Sequence, residues 1–390
     1  MSSESLSQNK RALVWLCGGH FVNDIFTGML NPIMPFIAAK IGISMAIATV
    51  VLTVSHIFSS LLQPLFGFFA DSNVKRSFIF WGLILSSIFI PISATSNGIS
   101  LLVICIIIGS IGSSFFHPQA LGFTSRFSNE INESSKYMSI FMAMGTVGYS
   151  FGPIISSFVT QFFGMNRMPV LAIIGIFWAL LMFLFVPKVS DKVQELPNLQ
   201  FMKVFKSILS NRRLNILNVV AMLKTMVQSS GFILLPFLWK NMGHRPVYIG
   251  ISLFLFIFAG GLGSLFSSYF EKRIGAKKVF YYSMISPFPF MLFFVLTYKT
   301  CPILSLVIFV VMGFLTMLAT PITMIMAQDT LPEYKSIIAG FINGFSWGVI
   351  AIVMSALGFV AEKFGITNVL LVVAITPAIV SIPLIRALFK

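Results

Sequence analysis

Long apolar runs separated by short polar connections constrain this chain more than any other feature. A helix needs about 20 mainly apolar residues to cross a bilayer. Twelve runs meet that need, at 12–39, 45–70, 78–95, 99–124, 137–164, 169–187, 214–241, 247–270, 279–298, 302–327, 336–361 and 367–388. Backbone polar groups find no water in hydrocarbon, so such runs must satisfy themselves as helices or as closed barrels. Barrel strands alternate apolar and polar residues over about ten positions, and these runs do not alternate. Composition agrees: 57% of the 390 residues are hydrophobic and 9% charged, against about a quarter charged in soluble domains. Disorder is excluded, because disordered chains are poor in apolar residues. The expectation is an all-α membrane protein.

The net charge is +15. In a soluble protein that would suggest nucleic acid, but here the basic residues cluster between apolar runs and read as topology. With the N-terminus in the cytoplasm, 19 of the 26 Lys and Arg fall on the cytoplasmic side and 6 outside, leaving only Lys224 within a span. Both termini are therefore expected in the cytoplasm. Lys10 and Arg11 precede a first run too long for a cleavable signal, and one that contains Asn23 and Asp24. Cys17, Cys105 and Cys301 show no CxxC or Cys/His spacing, so disulfides and structural metals are not expected.

The halves repeat. Pro35, Phe36, Lys40 and Gly42 recur as Pro236, Phe237, Lys240 and Gly243. The loop from Asp71 to Arg76 matches that from Glu271 to Lys278, and Lys136 and Gly145 match Lys335 and Gly344. Duplicated six-span halves are built around a midplane site in secondary transporters. The expected organisation is an N-terminal six-helix bundle over 1–187, a cytoplasmic linker over 188–213 and a C-terminal six-helix bundle over 214–390.

Gly67, then Asp71, then the basic pair Lys75 and Arg76 resemble the loop signature of the major facilitator superfamily, although Ser72 and Val74 depart from it. Four further stretches resemble the fosmidomycin-resistance group of drug efflux proteins: His20 to Asp24, Ser59 to Gly67, Phe116 to Pro118, and Gln328 to Pro332. The resemblance implies the two-bundle fold of that superfamily and export by alternating access. It also places Asp71, Lys75 and Arg76, with the repeat counterpart Glu271, at an inner gate. Asp329, near the cytoplasmic end of the tenth span, is assigned to the same gate.

Ionisable groups inside spans are costly and commonly functional. His20, Asp24, Thr27 and Asn31 recur at helical spacing and form one stripe. Thr49, Thr53, His56, Ser60 and Gln63 form another, and Ser110, Ser113, Ser114 and His117 a third. Together they suggest a water-accessible cavity, the competing reading being helix-to-helix hydrogen bonding. Asp24 and His20, four residues apart, are the expected proton-coupling pair. Lys224, with Gln228 one turn on, could attract an anionic group or instead snorkel to the membrane edge. Asn23, His56, His117, Tyr149, Asn343 and Trp347 complete the expected substrate-binding set. Gly145, Gly148 and Gly152, followed by Pro153, resemble the fifth-helix motif of superfamily antiporters and equally suit close helix packing.

No Walker loop, HExxH or GxSxG motif is present, and no arginine ladder. Neither an ATP motor, a hydrolase nor a voltage sensor is therefore expected. The reading is a non-enzymatic, proton-coupled exporter of a small polar or anionic toxic compound. It needs no cofactor or nucleic acid, and works as a monomer spanning the inner membrane. The alternative is a symporter importing a small anionic metabolite.

Overall fold

The computed structural model describes residues 3–63, 66, 76–187, 201–331, 338 and 341–389. Asp71 and Lys75 lie outside them. The described residues are helical with no strand. Among them, ten helical stretches are long and apolar enough to cross a bilayer, and Met45–Leu61 is a shorter apolar one.

In the first half the helices are α1 (Ser3–Gly28), α2 (Leu30–Ile41), α3 (Met45–His56), α4 (Arg76–Ser93), α5 (Ile99–Glu130), α6 (Ser134–Phe162) and α7 (Ala172–Phe185). A π-helical turn, Ile57–Leu61, follows α3, and a 3₁₀ turn, Met165–Leu171, precedes α7. Then come α8 (Phe201–Ser210), α9 (Arg212–Ile233), α10 (Leu235–Asn241), α11 (Pro246–Ile274), α12 (Ala276–Ile285), α13 (Pro287–Thr297), α14 (Pro302–Met317) and α15 (Thr320–Gln328). The second π-helical turn, Phe341–Phe345, leads into α16 (Ser346–Phe364), and α17 (Ile366–Leu388) closes the chain.

Several expected single spans are divided, and prolines explain where. A proline lacks the N–H for the i−4 carbonyl and its ring collides with that carbonyl. Pro32 acts on Gly28, where α1 ends. Pro236 acts on Phe232 beside the α9–α10 break, and Pro321 on Met317, the last residue of α14. Gly42 and its repeat counterpart Gly243 both stop helices at positive φ, 75° and 82°. Glycine adopts that backbone without a Cβ penalty.

The chain forms two compact units. One comprises Met1–Ile43, Val54–Asn198 and Arg245–Gly250, and the other Ser44–Thr53, Leu199–His244 and Ile251–Lys390. Each short exchanged segment is a helix start capped within its unit. The Ala46 N–H donates to Glu362 Oε2 at 2.8 Å, and the Val247 N–H to Gln161 Oε1 at 3.1 Å. One offset, 201 residues, separates 46 from 247 and 161 from 362. The duplication thus extends to single hydrogen bonds.

Large apolar side chains face outward, among them Leu184 at 70% and Ile303 at 82% exposure. Such a surface suits lipid rather than water. Inside the first unit, the glycines of α6 let α1 approach. A Cβ on Gly148 would stand 2.1 Å from the Phe21 carbonyl oxygen, and one on Gly152 2.4 Å from that of Ile25. Packing is therefore a role these glycines fill, and it places Asp24 against α6.

Candidate functional site: a buried carboxylate between two imidazoles, and a buried ammonium

Within the first unit, Asp24 is buried about one turn before the C-terminal end of α1. Its Oδ2 lies 3.3 Å from His20 Nε2, one turn back on the same helix, and its Oδ1 lies 3.2 Å from His117 Nε2 on α5. Asn23 Nδ2 donates to Oδ1 at 3.0 Å, while Ser86 of α4 donates to Asn23 Oδ1 at 2.9 Å. Two backbone carbonyls hold the rings from behind. Phe141 O is 2.8 Å from His20 Nδ1, and Ser113 O is 3.2 Å from His117 Nδ1. The His20 ring also stacks on Phe141, with centroids 4.1 Å apart. Gly145 leaves room for this: a Cβ there would stand 2.3 Å from His20 Cε1 and 2.9 Å from Asp24 Oδ2.

Further along the same face, Thr27 donates to the Asp24 carbonyl and Asn31 Nδ2 to the Tyr149 hydroxyl at 3.4 Å. The first and third expected stripes thus meet. The second divides. Thr49 and Thr53 belong to the other unit, where Thr53 donates to the Ala351 carbonyl at 2.7 Å and Gly358 packs on Thr49. The π-helical turn after His56 then shifts the helical phase, so Ser60 and Gln63 leave the face that Thr49 and Thr53 define. His56 sits at the start of this turn, half-buried. Nearby, Ser55 and Ser110 share a 2.9 Å hydrogen bond, and Ser114 donates to the Phe58 carbonyl.

In the second unit Lys224 is buried rather than extended to a helix end. Its Nζ donates to Thr320 Oγ1 at 2.6 Å. Among the described residues no carboxylate pairs with it. It faces a cavity of about 60 Å³ lined also by Thr225, Gln228, Thr320, Thr323 and Trp347. Trp347 stacks parallel to Phe232, with centroids 6.2 Å apart. Thr320 holds the ammonium because the Pro321 break starts α15 there. Sequence spacing did not single it out, nor Ser86. Both are hydroxyls whose role depends on a partner on another helix, and the proline beside Thr320 was the one available signal.

The remaining expected residues lie elsewhere. Asn343 belongs to the second π-helical turn, but its side chain is outside the described residues. Arg76 binds the Val186 carbonyl at 2.9 Å and covers the Phe183 ring at 4.3 Å, so it clasps the end of α7. Glu271 is half-buried in the last turns of α11, and Asp329 is exposed where α15 ends.

As donors, His20, Asp24 and His117 are types that hold protons or a divalent cation. Their ligand atoms lie within 4.8 Å of one another, and no other three His, Cys, Asp or Glu of the described residues do so. The Lys224 cavity, in contrast, offers hydrogen-bond donors and one positive charge.

Known proteins share this organisation. The Major Facilitator Superfamily pattern matches residues 16–355. The fosmidomycin resistance protein of Escherichia coli (strain K12) is 25% identical over 376 residues, covering 92% of this chain and 88% of its own length. The uncharacterized MFS-type transporter YfnC of Bacillus subtilis (strain 168) is 20% identical over 376 residues, covering 94% and 90%. Among solved structures, the nucleoside transporter NupG superposes with a TM-score of 0.72 at 17% identity, covering 97% of this chain and 99% of that one. A point mutant of the same transporter superposes with a TM-score of 0.75, also at 17% identity, covering 97% and 100%.

Proposed function

The chain belongs to the major facilitator superfamily, and from that premise we propose that it is a proton-coupled exporter of a small polar or anionic toxic compound. It is a multi-pass membrane transporter, not an enzyme. The observation that carries the finer reading is the separation of two buried charges. The Asp24 cluster is already surrounded by hydrogen-bonding partners, so its free variable is its protons. Lys224 has a cavity in front of it and one hydroxyl beside it, so its free variable is a ligand with negative charge. In this reading Asp24 and His20 exchange the driving protons, Lys224, Gln228 and Trp347 hold the substrate, and alternating access couples them. The fosmidomycin resistance protein supports export. The protein acts as a monomer in the inner membrane with both termini in the cytoplasm.

The test is direction. Everted vesicles energised to an acidic interior, challenged with compounds to which the expressed protein gives resistance, accumulate them if the protein is an antiporter. Depletion of the compound under the same gradient identifies an importing symporter instead.

A further inference from the structure

The Asp24 carboxylate collects two imidazole nitrogens, one on each oxygen. His20 Nε2 lies 3.3 Å from Oδ2 and His117 Nε2 lies 3.2 Å from Oδ1. In tetrahedral zinc sites the metal stands about 2.0–2.2 Å from nitrogen and oxygen ligands, which puts neighbouring ligands about 3.3 Å apart. Both nitrogen–oxygen separations match that spacing. The three ligand atoms lie within 4.8 Å of one another. The remaining closure falls to a rotation of the His117 side chain, which is partly exposed and so leaves a path for an ion.

The groups behind the ligands fit a metal as well. A metal-bound histidine commonly donates its other ring N–H to a carbonyl, which fixes the ring. His20 Nδ1 meets the Phe141 carbonyl at 2.8 Å, and His117 Nδ1 meets that of Ser113 at 3.2 Å. The carboxylate is held in turn by Asn23, and Asn23 by Ser86. A neutral imidazole carries one N–H and one lone pair. With its N–H on Phe141, a neutral His20 aims the Nε2 lone pair at an Asp24 oxygen, a contact that lacks a cation. His117 has a second option, because Asn23 Nδ2 stands 3.4 Å from its Nδ1 and can donate there. A proton on His20 would serve one nitrogen–oxygen pair, whereas a metal serves all three groups at once. Among the described residues no lysine or arginine pairs with Asp24, so with neutral rings the counter-charge has to come from a bound ion.

We infer that His20, Asp24 and His117 form a binding site for one transition-metal dication of the zinc type. Two imidazole nitrogens and one carboxylate are the ligands, and the remaining position is left to water. Mg²⁺ and Ca²⁺ prefer oxygen ligands throughout, so the two nitrogens select against them. The inference goes beyond the transport reading and does not rest on it. Its ligands come from α1 and α5, so a bound ion ties those two helices together. It also takes up the lone pairs that proton exchange at Asp24 and His20 would use, which makes such an ion an inhibitor of a proton-coupled exporter.

The test uses Co²⁺ as the probe, on the full-length protein purified in detergent and freed of any histidine tag. The expected result is one Co²⁺ per chain with the strong visible absorption of four-coordinate cobalt. Zn²⁺ displaces it, and a large excess of Mg²⁺ does not. His20→Gln and His117→Gln each weaken Co²⁺ binding by more than about 100-fold, beyond the usual loss on removing a supporting hydrogen bond. His244→Gln, in the other unit, leaves binding unchanged. Wild-type protein without the cobalt band overturns the inference, as does a band that survives both cluster variants or yields to Mg²⁺. X-ray absorption of the zinc-loaded wild type counts the imidazoles, so the site is assigned even where a variant fails to fold. Two are expected, and a shell of oxygen alone overturns the inference. Metal binding by a protein that moves no substrate would sink the transport reading and leave this inference standing. Proton-driven transport by a protein that binds no Co²⁺ would do the reverse.

Discussion

Lys224 lies one residue from the repeat equivalent of Asp24, yet the surroundings of the two are opposite in kind. The carboxylate has two imidazoles and an amide within 3.3 Å. The ammonium has one hydroxyl at 2.6 Å and a cavity. A charge fully surrounded by partners responds through what those partners bind. A charge left without a counter-ion gains most from a ligand that brings one, because desolvated charges are costly until paired. Duplication therefore supplied two similar scaffolds, and local side chains gave their buried charges different surroundings.

The largest effect should come from removing titration at the first site. Asp24→Asn keeps the shape but cannot ionise. Concentrative transport is expected to vanish, while exchange down a substrate gradient survives. A variant that still concentrates substrate under a pH gradient would erase the contrast between the sites. Next is Lys224→Ala, expected to weaken binding of an anionic substrate by about 2–5 kcal/mol. Isothermal titration with a transported compound measures this. An unchanged affinity would move the substrate away from this cavity.

Packing offers a third contrast. Gly145→Ala forces a methyl group 2.3 Å from the His20 ring, whereas Gly231→Ala places one 3.4 Å from Phe309, an ordinary contact. The first should cost about 1–3 kcal/mol, and the second little. Thermal melts in detergent that rank them the other way would show that the Asp24 cluster is not tightly held.

The smallest effect lies outside the membrane. The side chain of Lys136 donates to Glu133 at 2.7 Å and Lys10 lies 3.6 Å away, so the Glu133 carboxyl is held below its usual value. A depressed acid stabilises the fold above its unfolded value and loses that contribution as pH falls through the folded one. Glu133→Gln should lower the melting temperature slightly at neutral pH and not at all in strong acid. An equal difference at both pH values would show that charge is not the cause.

How legible was this in the chain? The stripe of His20, Asp24 and Asn31 could be read from helical spacing alone, because neighbours on one helix face are a local property. His117 was recognisable as a polar residue in a span but not as the second imidazole on Asp24. Periodicity reports which face of its own helix a residue occupies, not which helix that face meets. The second stripe misled for a related reason. A π-helical turn inserts a phase shift that a regular spacing rule cannot anticipate, and Thr53 turned out to serve the Ala351 carbonyl.

The sequence by itself determined the membrane class, the helical architecture and the duplication. The first two follow from rules that act within one helix, bilayer thickness and backbone hydrogen bonding, and the third from comparing the chain with itself. Only the tertiary structure decided that one carboxylate lies between two imidazoles and that one ammonium faces an open cavity. Such contacts join residues distant in sequence, and the free energy of a buried charge depends on every group packed around it.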